Sequence, residues 1–162
     1  MPRPINSGQA MVEFAMVIGI FLLVLFGAIS AAFYALERSA GVTAVAAGVR
    51  AAAAASHTDP NLPDLNAADP EIHRVTDRAM FGTTVQVIHL NPGDSCTPPQ
   101  PAQNGQVVTC VQRVPAQPGG PLDMISVRMV GKPRSLVSLP MLGLMEWKMD
   151  VEARIHQVTF TS

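Results

Sequence analysis

Charge is what this chain has least of. Only 14% of its 162 residues are charged, against roughly 25% in an average soluble domain. The formal net charge is -1, so there is no basic footprint for nucleic acid and no acidic tail for cationic partners. Aromatics are also scarce, at 5%, which leaves any folded domain with few large side chains for its core. The sequence has no G-x-S-x-G elbow, no phosphate-cradling glycine loop, no H-E-x-x-H pair and no dinucleotide fingerprint. His57, His73, His89 and His156 are scattered rather than gathered at metal-ligand spacing. The carboxylates of DPEIHRVTDR and KMDVEAR alternate with basic residues, as solvated faces do. Nothing here asks for an enzyme, and no metal or cofactor is expected.

What the chain does have is an apolar excess, 48% of residues, gathered at one end. The stretch NSGQAMVEFAMVIGIFLLVLFGAISAAFYALER runs from Asn6 to Arg38, and Phe14 to Leu36 holds no charged residue. As a helix, that run spans roughly 35 Å, enough to cross a hydrocarbon core of about 30 Å. A buried core helix with so long an apolar run and no polar face is uncommon. A secretory signal peptide has a shorter apolar region and is cut after it, whereas this run continues into further helix-forming sequence. A retained single-pass transmembrane helix fits best. With Arg3 before it and Glu37 and Arg38 after it, the charge bias is slight and points to a cytoplasmic amino terminus.

One residue sits awkwardly in that anchor. Glu13 places a carboxylate at the start of the apolar run, where charge well inside a bilayer costs on the order of 2.5 to 3.5 kcal/mol. At headgroup level the cost is smaller, and the residue also meets the positive end of the helix dipole. Its neighbours add a second meaning. Gly8, Gln9, Ala10, Met11, Val12, Glu13 and Phe14 resemble the processing site of class IV prepilins, in which a glycine ends a short polar leader and the mature segment has glutamate at its fifth position. More specifically, GQAMVEFAMVIGIFLLVLFG is similar to the start of TadE-like proteins of the Flp or Tad pilus system. The Ala-rich AAGVRAAAAA from Ala46 to Ala55 resembles the helical extension that follows the anchor in that family.

The resemblance implies a minor pilin or pseudopilin in the cytoplasmic (inner) membrane, with its carboxy-terminal domain extracytoplasmic or incorporated in a pilus. A prepilin peptidase would cut between Gly8 and Gln9. The other implied partners are further pilins or pseudopilins and the Tad inner-membrane assembly machinery. Cleavage would leave an α-amine on Gln9 near Glu13. In a stack of subunits the Glu13 carboxylate can then pair with a neighbour's amine, with Phe14 beside it, so that a costly charge sets axial register.

These readings divide the chain into a leader at 1–8, a transmembrane helix at 9–36, an Ala-rich helical extension at 37–56 and a head at 57–162. One helix from about Gln9 to Ala55 is expected, with a bend allowed at Gly41 or Gly48. Gly41, Val45, Gly48 and Ala52 share a stripe that suits close packing, either on the head or on another subunit. Residues 57–69 read as a linker or loop, punctuated by Pro60 and Pro63. Asp69 reads as an N-cap before Pro70 and Glu71, opening a short helix to about Met80.

Strands are expected at Thr84 to Leu90, Val107 to Val114, Leu122 to Val130 and across WKMDVEARIH, with a slip of phase after His156 that puts Val158 and Phe160 on the other parity. Together they predict an α+β chain: a long amino-terminal helix, then a small antiparallel sheet with a short helix. Cys96 and Cys110 flank a Pro-rich loop between two predicted strands. On the oxidising side of a membrane they read as a disulfide in preference to free or metal-binding thiols. Two function classes follow: a pilin-like assembly component cleaved after Gly8, or an uncleaved single-pass membrane protein whose outer domain binds an envelope partner or ligand.

Overall fold

The computed structural model describes residues 7–56, 65–80, 82–98, 103–115, 124–134 and 148–156. Its first element is a single α-helix, α1, from Ser7 to Ser56. Fifty residues at about 1.5 Å each make a rod of about 75 Å. Alanine is the best helix former and proline is absent from the segment, so nothing interrupts the backbone ladder. Gly41 and Gly48 do not break it.

The two halves of α1 meet different surroundings. From Ala10 to Ile29 its described side chains are exposed on every side, including Phe14, Ile20, Phe21 and Leu23. This rules out the buried-core reading of the run. From Glu37 onward one face is buried: Ala40, Ala44, Val45, Val49 and Ala52 enter the core of the head.

After a 3-10 turn at Leu65–Ala67, α2 runs from Ala68 to Ala79 and buries Ile72 and Thr76. The helix begins one residue before the expected cap, and Ala67 at its N-cap makes no side-chain hydrogen bond. Asp69 instead lies inside the first turn, where its Oδ2 is 3.2 Å from Nε2 of His89. The physical reason is continuity. Ala67 is already in the right-handed helical region at the end of the 3-10 turn, so no extended capping residue is required.

Four strands follow: β1 at Thr84–Leu90, β2 at Gln106–Val114, β3 at Met124–Lys132 and β4 at Met149–His156. They form one sheet in the order β1-β2-β3-β4. β2–β3 and β3–β4 are antiparallel, but β1 pairs with β2 in parallel. The sheet is therefore mixed rather than wholly antiparallel. Residues 91–105 supply a crossover long enough to return the chain to the same end of the sheet, which a parallel pair requires. Trp147, Val158 and Phe160, which figured in the expected alternation of the last strand, lie outside the described residues.

Alternation sorts the sheet into two faces. Val107, Val111, Ile125, Val127, Met129 and Met149 turn toward the helices and complete the core. Cys110, Arg128, Asp150 and Glu152 lie on the other face, according to the strand register. The crossover is tied down there by a disulfide from Cys96 to Cys110, whose Cα atoms are 5.8 Å apart. Closing a loop of this length contributes about 3 kcal/mol in the chain-entropy picture.

The small-residue stripe of α1 packs on the chain's own head. A Cβ on Gly41 would lie 2.9 Å from Sδ of Met149, and one on Gly48 would lie 2.7 Å from Cγ1 of the buried Ile72. On the sheet, Gly131 has φ +152°, and a Cβ there would meet Gln106 O at 2.5 Å and Val107 Cα at 2.7 Å, both backbone atoms. Gly48→Val is expected to destabilise the head by roughly 1 to 3 kcal/mol through overpacking. Gly19→Val, at a site with nothing within 4 Å, should leave the head unchanged. Denaturant midpoints of the two variants in detergent, followed at the sheet's circular-dichroism band, check the contrast.

Candidate assembly site and head junction

Gly8 and Gln9 lie in the opening turns of α1, and Glu13 and Phe14 follow one turn later on the same continuous helix. Gly8, Glu13 and Phe14 are exposed, and nothing stands within 4 Å of where a Gly8 Cβ would be. Gly8, Glu13 and Phe14 thus lie close together at the far tip of the rod. Cys96 and Cys110 are not part of it. They belong to the head, which Tyr34 of α1 meets through its hydrogen bond to Lys148. Tyr34 lies 21 positions after Glu13, which is about 32 Å of helix.

The helix between tip and head presents Met11, Phe14, Val17, Phe21, Val24 and Phe26 to its surroundings. It has the length and composition to cross a membrane, and none of its most apolar window is buried by the rest of the chain. Such a surface is stable in lipid or against other apolar helices and unfavourable in water.

The junction where this rod meets the head is polar and closely tied. Tyr34 Oη donates to the Lys148 carbonyl at 3.0 Å. One turn later Glu37 is only 6% exposed, and it accepts from Thr83 Oγ1 at 3.4 Å. The same Thr83 oxygen accepts the Arg134 backbone N–H at 2.9 Å. Thr83 therefore links α1, the start of β1 and the segment leaving β3. Glu37 lies past the apolar run, and desolvation raises its carboxyl above the ordinary range, partly offset by the Thr83 hydroxyl. Sequence inspection read Glu37 only as a flanking charge. Its one available signal was its place next to the Gly41 and Gly48 stripe that docks on the head.

The outer face of the sheet carries a ladder of ion pairs. Arg128 grips Asp150 through two bonds, Nε to Oδ1 at 2.8 Å and Nη2 to Oδ2 at 2.6 Å. Glu152 accepts from Arg154 at 2.6 Å and from Ser126 at 2.7 Å. These hydrogen bonds hold Asp150 and Glu152 below the usual carboxylate range, with Arg128 and Arg154 respectively the principal causes. The pairs are largely exposed, so each adds little stability. Among the described residues no group of His, Cys, Asp and Glu is arranged to hold a metal ion.

The junction predicts a pH signature. A carboxyl whose pKa rises on folding holds its proton more tightly in the native state, so stability falls as pH climbs from the ordinary value through the raised one. Glu37→Gln keeps a hydrogen-bonding partner for Thr83 and removes that loss. It should raise the denaturation midpoint at neutral pH, with the advantage shrinking as pH approaches about 4 and ordinary carboxyls become protonated. Midpoints of both proteins across that range check the sign.

Comparison with known proteins adds one finding to this geometry. No curated protein and no solved structure matches the chain. A family model does, over residues 8–50, which begin at the glycine of the tip and end where α1 lies on the head. It is the model of TadE-like proteins, and residues 8–50 are similar to that family.

Proposed function

We propose that the chain is a minor pilin or pseudopilin of a Tad or Flp-type pilus assembly system. In this reading a prepilin peptidase processes it after Gly8, and it contributes to pilus biogenesis, adherence and biofilm. The observation that carries this proposal is the coincidence of the family match with one structural unit. The match starts at Gly8 and covers an uninterrupted helix, bare along the apolar run that only lipid or neighbouring helices can cover. Cutting at the Gly8–Gln9 bond leaves that rod intact and places a new amine at its tip. In this reading the Glu13 carboxylate pairs with a neighbour's amine, and the attraction between them offsets part of the cost of holding either charge away from water.

In this reading the amino terminus is cytoplasmic, the head is extracytoplasmic, and the contacts of the rod are made with other pilins and with the assembly machinery of the inner membrane. In this reading the work of the head is recognition or support.

The mass and first residue of the protein isolated from membranes of cells that carry its native secretion genes test the proposal. Gln9 is the expected start, and Gly8 replacement should leave the precursor uncut. An intact leader would instead favour an uncleaved anchor whose outer domain binds an envelope partner, and a start beyond Ala35 would mean a signal peptide. Glu13→Ala should still insert, since it removes the only carboxylate of the anchor, but should assemble poorly. Normal filament yield from that variant would sink the register role.

A further inference from the structure

β1 is the strand held by the fewest kinds of contact. It lies at one edge of the sheet and joins β2 in parallel, a pairing slightly weaker per residue than an antiparallel one. The other edge strand, β4, is antiparallel to β3 and is tied to it by the Arg128–Asp150 pair and by Ser126, which donates to Glu152 at 2.7 Å. Among the described residues the side-chain tie of β1 to another element is His89 to Asp69 of α2. Docking β1 also closes a long crossover, residues 91–105, and the entropy of that closure opposes it.

The two ends of the crossover are secured differently. At the far end Thr84 N donates to Gly105 O at 2.8 Å, and Gly105 N donates to the Lys132 carbonyl at 2.9 Å. At the near end the chain leaves β1 in a turn, where Asp94 N donates to Asn91 O at 3.1 Å and Asn91 N donates to Asp94 Oδ2 at 3.2 Å. Both of these bonds are internal to the turn, and Asn91, Pro92, Gly93 and Asp94 are exposed. Attachment to the sheet comes at Cys96, through its bond to Cys110.

The position of that bond bears directly on β1. Cys110 is the register partner of Ile88 and is only 1% exposed. Cys96 stands six positions after Leu90, the last residue of β1, and its Sγ is 3.7 Å from the Arg128 carbonyl oxygen of β3. The bond therefore shortens the path from the end of β1 to the strand with which it pairs. Without it that path is the whole crossover, and an undocked β1 would leave β2 at the edge of the sheet. β2 carries Val107, Val108, Val111 and Val114, and a long Val-rich edge is a template for pairing with other chains.

We propose that the Cys96–Cys110 bond is a maturation latch, closed by a thiol–disulfide oxidant after the head has crossed the membrane, and that β1 stays docked on β2 only once the latch is closed. The place of oxidation rests on the extracytoplasmic reading of the head, whereas the latch itself does not. In closing, the two cysteine thiols give up two protons and two electrons as their S–S bond forms, and the oxidant's own S–S bond takes up both to become two thiols. The head thereby covers the edge of β2 before it meets other subunits.

Amide hydrogen exchange of the full chain in detergent, in the native protein and in C96S, tests the latch; the variant breaks the bond and leaves Cys110 in place. In C96S the β1 amides bonded to β2 should exchange about a hundredfold faster, the factor to which closing a loop of this length corresponds, while those of β3 and β4 keep the native rate. The native chain held in dithiothreitol should behave as C96S does, and protection of β1 should return when oxidised glutathione re-forms the bond. β1 amides that exchange at the native rate without the bond would overturn the proposal, and so would equal acceleration in all four strands, which would make the bond a prop for the whole head. If C96S does not fold, the reduced native chain decides by the same two criteria. In cells, acid quenching and alkylation should find the membrane-inserted chain without free thiols; inserted chain with both thiols free would overturn the oxidation step. None of these readouts depends on cleavage after Gly8, so failure of the latch and failure of the pilin reading are told apart.

Discussion

The structure depends on the contact between the second half of α1 and the head. That contact needs near-absence of side chain at two positions. Gly41 admits the sulfur of Met149, and Gly48 admits Ile72. With those two allowances the helix approaches closely enough for Val45, Val49 and Ala52 to share a core with β2, β3 and α2. Among the described residues the buried positions of the head are mostly Val, Ala, Ile and Met, with no aromatic among them. A helix contributed by the anchor is therefore a wall of the core, and head and anchor fold as a unit.

The same helix must satisfy two solvents. Its first half favours hydrocarbon and its second half favours protein, and the backbone bonds of a helix are satisfied internally in either. The change-over is managed at Tyr34 and Glu37, where a phenol, a buried carboxyl and the Thr83 hydroxyl replace apolar contact. On the far face of the sheet, away from α1 and α2, the Cys96–Cys110 bond ties down the crossover and the Arg128–Asp150 pair links β3 to β4.

Much of this was legible in the amino acids. The rod declares itself through alanine, leucine and the absence of proline, and the strands through β-branched alternation, with β1 read to the residue. The stretch from Gly8 to Phe14 carries its resemblance on its face, because a glycine followed by a lone carboxylate in an apolar run has few bland explanations. What was not legible depends on distant pairing. Parallel alignment of β1 with β2 follows from where the crossover lands, and local propensity says nothing about that. Ala67 replaced Asp69 at the start of α2 because a preceding 3-10 turn and a distant histidine changed what the aspartate faces. Glu37 was missed for the same reason, since its partner Thr83 lies 46 positions away.

An unbroken helix also transmits angle. Glu13 and Glu37 are 24 positions apart on one uninterrupted helix, and at about 3.6 residues per turn that distance is roughly six and two-thirds turns. The tip carboxylate and the docked face of the head consequently hold a set phase about the axis. Whatever neighbour engages the tip therefore also decides which way the head points. Adding or removing a single residue between them would swing the head by about 100° while changing the length of the rod by only about 1.5 Å.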